Sequence, residues 1–329
     1  MKTQSRNGSW LLSGKNAAGL PATVPATVPG YVHPALEAAG VIDPYFWRDN
    51  AEKCQWIEDA EWSFSRTFFI EEATDISRAA LCIGGIDTYA DVLVNGTPIC
   101  KSGNMFIPIR VSVSHVLRRG ENDIQIVIHP YKTQIEGKPR ERVSAFSDDR
   151  IHVRRIQCTF FWDWVNRFVS AGVLGGVSLE FPDVAVISDV FLQTKDVCKT
   201  SAAIDLQIKT AGAVESDCRF DATVTAPDGA TVWHTYGNVF KETLYLQADV
   251  PSPRLWWPAG YGEHPLYTLS VTLFDKNGAS IDQKTHRFGI RTVRFERVQD
   301  AVGSPEEART RAVRRLPRHR PRFYRKLCT

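Results

Sequence analysis

The stretch CTFFWDWVNRF, residues 158–168, combines two Trp and three Phe with a single carboxylate. One carboxylate, Asp163, lies between two indoles, Trp162 and Trp164, in a segment too aromatic for an ordinary surface loop and too polar for a plain core. An aromatic ring can cover the apolar face of a pyranose, and a carboxylate accepts strong hydrogen bonds from hydroxyl groups. The alternative interpretation is structural: Phe160 and both Trp residues are core or interdomain aromatics, and Asp163 caps a turn.

Other catalytic and metal-binding patterns are absent or weak in this sequence. Carboxylate pairs such as Glu71-Glu72 and Asp148-Asp149 are adjacent, so in strands they would point to opposite faces and could not act together on one substrate bond. The P-loop, G-x-G-x-x-G, G-x-S-x-G and H-E-x-x-H motifs do not occur. Seven Cys residues are scattered without a C-x-x-C pair. We therefore expect free thiols, no metal and no cofactor, and we nominate no catalytic residue.

Strand-like patterns dominate the first 181 residues. Asn95-Gly96 lies between two β-rich arms, which predicts a two-residue hairpin with a type I′ turn. The segment VPGYVHPALEAAG predicts one short helix, with Pro34 in its first turn and Gly40 at its C-terminal cap. The last predicted strand of this set, GVSLEF, stops at Pro182. We predict a β-sandwich domain over residues 1–182.

A second series of strands runs from VAVISDVFLQT to HRFGIRTVRF. Turn signals at Pro227-Asp228-Gly229 and Lys276-Asn277-Gly278 separate short strands, as in a seven-stranded immunoglobulin-like sandwich of ~100 residues. We predict such a domain over residues 183–298. After Asp300 neither periodicity continues, and we expect residues 299–329 to form an irregular, disordered tail.

Composition and charge limit the class of protein. Hydrophobic residues make up 43% and charged residues 23%, and no run approaches the ~20 apolar residues of a membrane span. Residues 1–19 contain no apolar stretch of secretory length, so we expect a cytoplasmic protein without a membrane partner. Residues 301–329 carry nine Lys and Arg against two Glu, which accounts for more than the whole net charge of +3. Such a tail can bind nucleic acid, but its few aromatic residues lead us not to expect a nucleic-acid partner.

Five longer segments match one family pattern, in order, over roughly residues 8–298. They are VPGYVHPALEAAGVIDPYFWRDNAEKCQWIEDAEWSFSRTF, GGIDTYADVLVNG, GNMFIPIRVSVSHVLRRGENDIQIVI, CTFFWDWVNRFVSAGV and LWWPAGYGEHPLYTLSV...HRFGIRTVRF. Together they resemble the glycoside hydrolases of the β-galactosidase, β-glucuronidase and β-mannosidase clan, most closely the β-mannosidases. The resemblance implies a galactose-binding-like jelly-roll sandwich, then an immunoglobulin-like sandwich, then a (β/α)₈ barrel with two catalytic glutamates. A barrel needs ~250 residues, only 29 follow Asp300, and no Asn-Glu dipeptide occurs. We therefore expect this chain to lack the barrel and to be inactive by itself.

The resemblance also implies roles for individual residues. In the β-mannosidases the corresponding Trp-Asp-Trp loop reaches the barrel, and its aspartate hydrogen-bonds hydroxyls of the terminal sugar. Asp163, Trp162 and Trp164 are therefore the predicted substrate-binding residues. Asn104 of GNMFIPIR is a further candidate at the rim of the site, with a role as a turn residue as its alternative.

Two other features qualify this assignment. Val165-Asn166 replace the family's usual Gly-Pro, and Leu174 replaces an aromatic, so the loop geometry is expected to differ. In the hallmark LWWPAGYGEHPLY, we expect Trp256, Trp257 and Tyr267 to fill a sandwich core or a domain contact rather than to bind sugar.

Three hypotheses for function follow. The first is the non-catalytic N-terminal portion of a β-mannosidase-like glycoside hydrolase, whose intact form cleaves terminal β-linked sugars with retention. The second is a stand-alone carbohydrate-binding module, which needs two or three coplanar aromatics facing solvent. The third is an interaction or scaffold protein that self-associates through the apolar surface where the barrel would dock. For the tail, we favour a frameshift after about Asp300 over a genuine solvated extension.

Overall fold

Two compact units make up the chain, residues 1–183 and residues 184–329. The computed structural model describes residues 2–15, 18–19, 21–139, 148–298 and 309–313. Both units consist mainly of antiparallel strands, which confirms the all-β prediction. No helix among the described residues is both long and apolar enough to cross a membrane.

Unit 1, residues 1–183, is a sandwich of two antiparallel sheets. Its strands are β1 (Lys2–Ser5), β2 (Gly8–Lys15), β3 (Pro21–Val28), β4 (Gly30–Tyr31), β5 (Trp62–Ile70), β6 (Ala80–Asp87), β7 (Ala90–Val94), β8 (Thr97–Ser102), β9 (Ile109–Ser112), β10 (Gly120–Ile128) and β11 (Gly172–Phe181). One sheet has the order β1-β11-β6-β9, with β4 also paired to β11, and the other has the order β3-β2-β5-β10-β7-β8.

The core of unit 1 follows from the alternation of side chains along its strands. On β10, for example, Ile124, Ile126 and Ile128 are buried while the intervening Gln125 and Val127 are only half-buried. Because successive side chains point to opposite faces of a strand, this pattern directs one face of the sheet inward. The buried residues of both sheets form one continuous apolar cluster.

The predicted hairpin and the predicted helix of unit 1 both form in the structure, together with shorter helical segments that were not predicted. Asn95 and Gly96 both have positive φ, at 51° and 74°, and they connect β7 to β8 as a two-residue hairpin loop. The predicted helix is α1 (Val32–Ala38), which contains Pro34 in its first turn and is followed by Gly40 at φ 68°. Shorter helical segments are α2 (Asn50–Lys53), α3 (Tyr131–Gln134) and the 3₁₀ turns Gln55–Asp59, Asp148–His152 and Gln157–Phe160.

Unit 2 contains the seven strands expected of an immunoglobulin-like sandwich. They are β12 (Val186–Val197), β13 (Ser201–Ala211), β14 (Arg219–Thr225), β15 (Thr231–Asn238), β16 (Thr243–Pro251), β17 (Tyr267–Phe274) and β18 (Ser280–Phe288). They form a three-stranded sheet, β12-β13-β16, and a four-stranded sheet, β15-β14-β17-β18. Alternate residues of both sheets, such as Leu206 and Val271, are buried in a second apolar cluster.

The segment that follows these strands differs in part from the expected irregular tail. Strand β19 (Arg294–Val298) pairs antiparallel with β20 (Arg309–Val313), so five residues of the tail have regular structure. The pattern at 309–313, RTRAV, was too short to stand out from its basic surroundings. Residues 299–308 and 314–329, on which the frameshift hypothesis also bears, lie outside the described residues.

Candidate functional site

The candidate sugar-binding residues lie on a tight turn formed by residues 162–165, here called the aromatic turn. The backbone N–H of Trp162 donates to the carbonyl of Val165 at 3.2 Å, and the N–H of Val165 donates to the carbonyl of Trp162 at 3.3 Å. These two bonds place Asp163 and Trp164 at the tip of the turn. The structure therefore brings three of the four predicted binding residues together.

Side chains of the aromatic turn are presented to solvent. Trp164 is 73% exposed and Asp163 is exposed, whereas Trp162 is half-buried and lies beneath the guanidinium of Arg150, 5.2 Å from its ring centroid. The two indole rings are 5.3 Å apart and tilted by 54°. Asp163 makes no hydrogen bond or ion pair within the described part of the chain, so both carboxylate oxygens are available to a ligand.

The root of the loop is Phe160, which is 1% exposed. The next residue, Phe161, has φ of 92° and is 47% exposed, so the chain reverses direction as it leaves the core. The guanidinium carbons of Arg155 and Arg167 lie 5.6 and 5.5 Å from the centroid of the Phe160 ring. Cations at this distance from an aromatic ring are attracted to its face. Phe160 is thus fixed by two arginines, and each of these arginines has a buried acidic partner.

Arg167 fixes the loop through Glu58 of the 3₁₀ turn Gln55–Asp59. Its Nε donates to Glu58 Oε2 and its Nη2 to Glu58 Oε1, both at 2.9 Å. Nη2 also donates to the hydroxyl of Tyr131 at 2.9 Å, and Lys132 lies 2.8 Å from Glu58 Oε1. Burial opposes the positive charge of Arg167, but the bonds and charge of Glu58 outweigh it and raise the pKa of the guanidinium.

Arg155 pairs with Asp87 at the end of β6. Nη2 of Arg155 donates to Asp87 Oδ2 at 2.9 Å and to the carbonyl of Ser170 at 3.0 Å, and Thr88 donates to the other carboxylate oxygen. Both charged side chains are almost completely buried, at 3% and 2% exposed. Burial raises the pKa of Asp87 against the opposing effects of Arg155 and Thr88, and it lowers the pKa of Arg155.

An aromatic cluster flanks the other end of the loop. Phe168 packs edge-on against Tyr45 and Phe46, with ring centroids 5.6 and 5.2 Å apart, and against His33 at 5.7 Å. Phe46 is nevertheless 75% exposed, and the adjacent Trp47 is 63% exposed. Exposed aromatic rings therefore occur on two segments that meet at residues 158–168.

Asn104 is placed close to this region but acts within its own turn. Its Oδ1 accepts a hydrogen bond from the backbone N–H of Phe106 at 3.0 Å, which is typical of a turn residue. The backbone of Asn104 forms a β-bridge with Arg154, and the N–H of Met105 donates to the carbonyl of Arg154 at 3.0 Å. The turn therefore rests against the segment that leads into the loop, while contact of Asn104 with a sugar remains a prediction.

In the LWWPAGYGEHPLY segment of unit 2, the contacts are those of structural residues. Tyr267 is 2% exposed, and its hydroxyl accepts from the N–H of Arg254 at 2.9 Å. The guanidinium of Arg291 lies 4.5 Å from the ring centroid of Trp256, and the N–H of Trp257 donates to the carbonyl of Glu263. The core role predicted for Tyr267 is confirmed.

Cysteine and metal-ligating side chains form no second candidate site in the part of the chain that the structure describes. Among the described residues six cysteines form no disulfide, and the seventh, Cys328, lies outside them. Within the described ranges no cluster of three His, Cys, Asp or Glu side chains is placed to hold a metal ion.

The sequence did not reveal the buried network that supports the loop, which consists of the charged residues Glu58, Asp87, Lys132 and Arg155 and the hydroxyl of Tyr131. No local signal marks Glu58 as the partner of Arg167, because 109 residues separate them. The only hint was Arg167 itself, an arginine within an otherwise aromatic segment.

Comparison with known proteins identifies related sequences and structures. Residues 4–175 match the family model described as "Glycosyl hydrolase 2 galactose-binding domain-like", and residues 185–291 match "Glycosyl hydrolases family 2". Beta-mannosidase B of Emericella nidulans is 31% identical over 84% of this chain and 34% of the relative. The beta-mannosidase of Rattus norvegicus is 29% identical over 92% of this chain and 36% of the relative.

Among solved structures, the beta-D-mannosidase from Dictyoglomus thermophilum superimposes with a TM-score of 0.78 and 26% identity, covering 91% of this chain and 38% of the other. The β-glucuronidase from Ruminococcus gnavus shares the fold with a TM-score of 0.58 at 18% identity, covering 90% of this chain and 46% of the other. The chain spans about a third of the length of the curated relatives that it matches. Because the first family model alone covers more than half of the 329 residues, the chain belongs to glycoside hydrolase family 2.

Proposed function

We propose that this chain is the non-catalytic N-terminal portion of a β-mannosidase-like glycoside hydrolase. The intact enzyme hydrolyses terminal β-linked sugars with retention, through two carboxyl groups that lie outside these 329 residues. The observation that carries the proposal is the aromatic turn. It presents an unpaired carboxylate between two indoles, on a loop whose root is fixed by buried ion pairs, in a chain similar to beta-mannosidases.

The proposed roles of the site residues follow from their placement. Asp163 accepts hydrogen bonds from hydroxyls of the terminal sugar, and Trp164 packs on an apolar face of the pyranose. Trp162 supports Trp164 from its half-buried position beneath Arg150. Asn104 contributes to the rim through the turn that rests on Arg154.

A stand-alone carbohydrate-binding module is the second candidate. The 54° tilt between Trp162 and Trp164 weighs against it, because a flat platform for a sugar chain needs coplanar rings. The exposed rings of Phe46, Trp47 and Trp164 instead favour contact with another protein surface, either a barrel domain or a second copy of the chain. A cytoplasmic location is part of the proposal and is tested by fractionating the source cells.

The test uses a fusion of residues 1–298 to the barrel region of the Dictyoglomus thermophilum beta-D-mannosidase, assayed with 4-nitrophenyl β-mannoside. The 329-residue chain alone should give no turnover, and the fusion should give measurable turnover. Asp163→Ala in the fusion should lower kcat/KM by roughly 10- to 100-fold, the value of a hydrogen bond to a charged group. Asp189→Ala, an exposed carboxylate of unit 2, is the matched control and should leave kcat/KM unchanged.

Two outcomes contradict the proposal. Turnover by the 329-residue chain itself would show that it contains its own catalytic groups. If the fusion is active and Asp163→Ala leaves its kcat/KM unchanged, the aromatic turn does not contact the substrate.

A further inference from the structure

A small cavity of about 20 Å³ lies in unit 1, lined in part by Arg155 and Val169, which flank the segment 158–168. Its walls include the apolar side chains of Ile57, Trp62 and Val169. Its polar lining includes Glu58, Asp87, Thr88, Tyr131, Arg155 and Ser170, together with Tyr89 and His129. Members of both buried ion pairs, Glu58–Arg167 and Asp87–Arg155, therefore face one space.

Arg155 has an unsatisfied donor in this region. The residue is 4% exposed, and its Nη2 is used by Asp87 and by the carbonyl of Ser170. Its Nε has no exposed surface and no hydrogen-bond partner within the described residues. Native proteins rarely leave a buried N–H of a charged group unpaired, because its hydration is lost without compensation.

The volume and chemistry of the cavity fit one particular ligand. A cavity needs a volume of about 10 to 15 Å³ and two to four polar partners to hold one water molecule. From these observations we infer that the cavity is a binding site for a single ordered water molecule. The water accepts the Nε–H of Arg155 and donates its two protons to carboxylate or carbonyl oxygens of the lining.

A water molecule fits this site better than an ion. Asp87 already neutralises Arg155, and the carboxylates of Glu58 and Asp59 together neutralise Arg167 and Lys132, so a halide or a cation would add an uncompensated buried charge. A neutral molecule that both accepts and donates hydrogen bonds adds none. By accepting from Arg155 and donating to Glu58, it would also link the two ion pairs into one hydrogen-bonded network.

Water binding in this cavity does not depend on sugar binding at the aromatic turn. In the ¹⁵N-labelled full chain, the Arg155 Hε resonance, assigned by its loss in Arg155→Lys, should show a rotating-frame Overhauser cross-peak at the water frequency. A crystal structure should show density about 2.7 to 3.2 Å from Nε. A crystal soaked in bromide should show no anomalous peak there.

A cavity-filling variant provides the second measurement. Val169→Ile adds one methylene to the cavity wall and should abolish both the cross-peak and the density. Val173→Ile, a fully buried residue outside the lining, is the control and should leave both unchanged. An Nε bonded directly to a protein oxygen, an anomalous bromide peak, or a well-ordered cavity without density would each overturn the inference.

Discussion

At the residue scale, the position of the aromatic turn depends on charges that are buried together. The carboxylate of Glu58 is 6% exposed and receives two hydrogen bonds from Arg167, so neither group is well solvated. A buried ion pair contributes little net stability when compared with apolar packing, but the loss of one partner leaves a charge in a poorly solvating environment. The pair therefore fixes the conformation of the loop more than it stabilises the fold.

Substitution of Arg167 tests this role. Arg167→Met should lower the free energy of unfolding of unit 1 by about 3 kcal/mol, the lower end of the range for breaking a buried pair, because Lys132 still contacts Glu58. Urea denaturation followed by tryptophan fluorescence measures the change. Arg167→Lys should have a free energy of unfolding between those of the wild type and Arg167→Met. An ammonium group keeps the positive charge but cannot make two parallel hydrogen bonds to the carboxylate.

An exposed pair in the same unit is the control for Arg167. Lys2 lies 3.5 Å from Glu71, and both side chains are more than half exposed. Lys2→Met should therefore change the free energy of unfolding by less than about 1 kcal/mol. Equal losses from Arg167→Met and Lys2→Met would contradict the importance of the buried pair.

His33 makes the stability of unit 1 depend on pH. The residue is 5% exposed, its Nδ1 lies 2.8 Å from Ser170 Oγ, and burial together with the Arg155 charge lowers its pKa to about 4 from 6.5. Between these values the unfolded chain binds a proton that the folded chain does not. The contribution of neutral His33 to the free energy of unfolding is therefore fully present above pH 6.5 and is lost as the pH falls towards 4. The loss is on the order of 3 kcal/mol.

The measurement for His33 compares two proteins over this pH range. Urea unfolding of the wild type and of His33→Gln at pH 7, 5.5 and 4.5 should show a steeper loss of stability in the wild type. The difference between the two slopes isolates His33 from the carboxylates that titrate in both proteins. Parallel slopes would mean that His33 binds its proton equally well in the folded and unfolded chains.

What the sequence predicts of the candidate site is limited to residues that are close along the chain. Asp163, Trp162 and Trp164 could be nominated because an aspartate between two indoles is unusual by itself. Glu58, Asp87 and their arginines could not, because 109 and 68 residues separate the partners and only the tertiary fold brings them together. Residue type predicts what a side chain can do, but only the fold determines its partners.

At the element scale, the end of helix α1 shows how local sequence fixes local structure. The N–H of Gly40 donates to the carbonyl of Glu37, and the N–H of Val41 donates to the carbonyl of Leu36, both at 2.9 Å. This is the Schellman arrangement, in which the residue after the C-cap takes a left-handed conformation. Gly40 adopts φ of 68° without cost because it has no Cβ.

A single methyl group at Gly40 should therefore destabilise unit 1. A Cβ added there would meet no atom within 4 Å, so any loss must come from the backbone conformation. Gly40→Ala should lower the free energy of unfolding by about 1 to 2 kcal/mol. Gly103→Ala is the control, because Gly103 has no positive φ and its Cβ would make ordinary contact with Tyr89 at 3.5 Å. A loss from Gly103→Ala as large as that from Gly40→Ala would rule out the conformational explanation.

Elements with a strong local signal were predictable, and those without one were not. The Asn95-Gly96 hairpin and helix α1 each carry a glycine at the position that requires positive φ. The order of strands within the sheets, such as β1 next to β11, brings together residues nearly 180 positions apart, and no local pattern encodes it. Strand β20 was missed because its five residues, RTRAV, are too short a pattern to stand out from the basic residues around them.

At the scale of the whole molecule, each unit has a core that is complete in itself. The apolar cluster of unit 1 contains only residues up to Phe181, and that of unit 2 begins at Val184. Domains with separate cores can in principle fold independently. The exposed aromatic residues of unit 1 are therefore not needed to complete its core, and their exposure requires another explanation.

Self-association is the expected consequence of these exposed rings. Phe46 and Trp164 are 75% and 73% exposed, and burying one such side chain at an interface contributes about 1.5 to 3 kcal/mol, or roughly 10- to 100-fold in Kd. Sedimentation equilibrium of the wild-type chain should show an average mass that rises with concentration, and the double variant Phe46→Ser/Trp164→Ser should remain monomeric over the same range.

Tyr245→Ser is the control: it removes a ring of unit 2 that is 76% exposed and should leave the association unchanged. Association weakened only by Tyr245→Ser would assign the contact to unit 2, and a wild-type chain that stays monomeric at high concentration would show that the exposed rings of unit 1 do not by themselves form an interface.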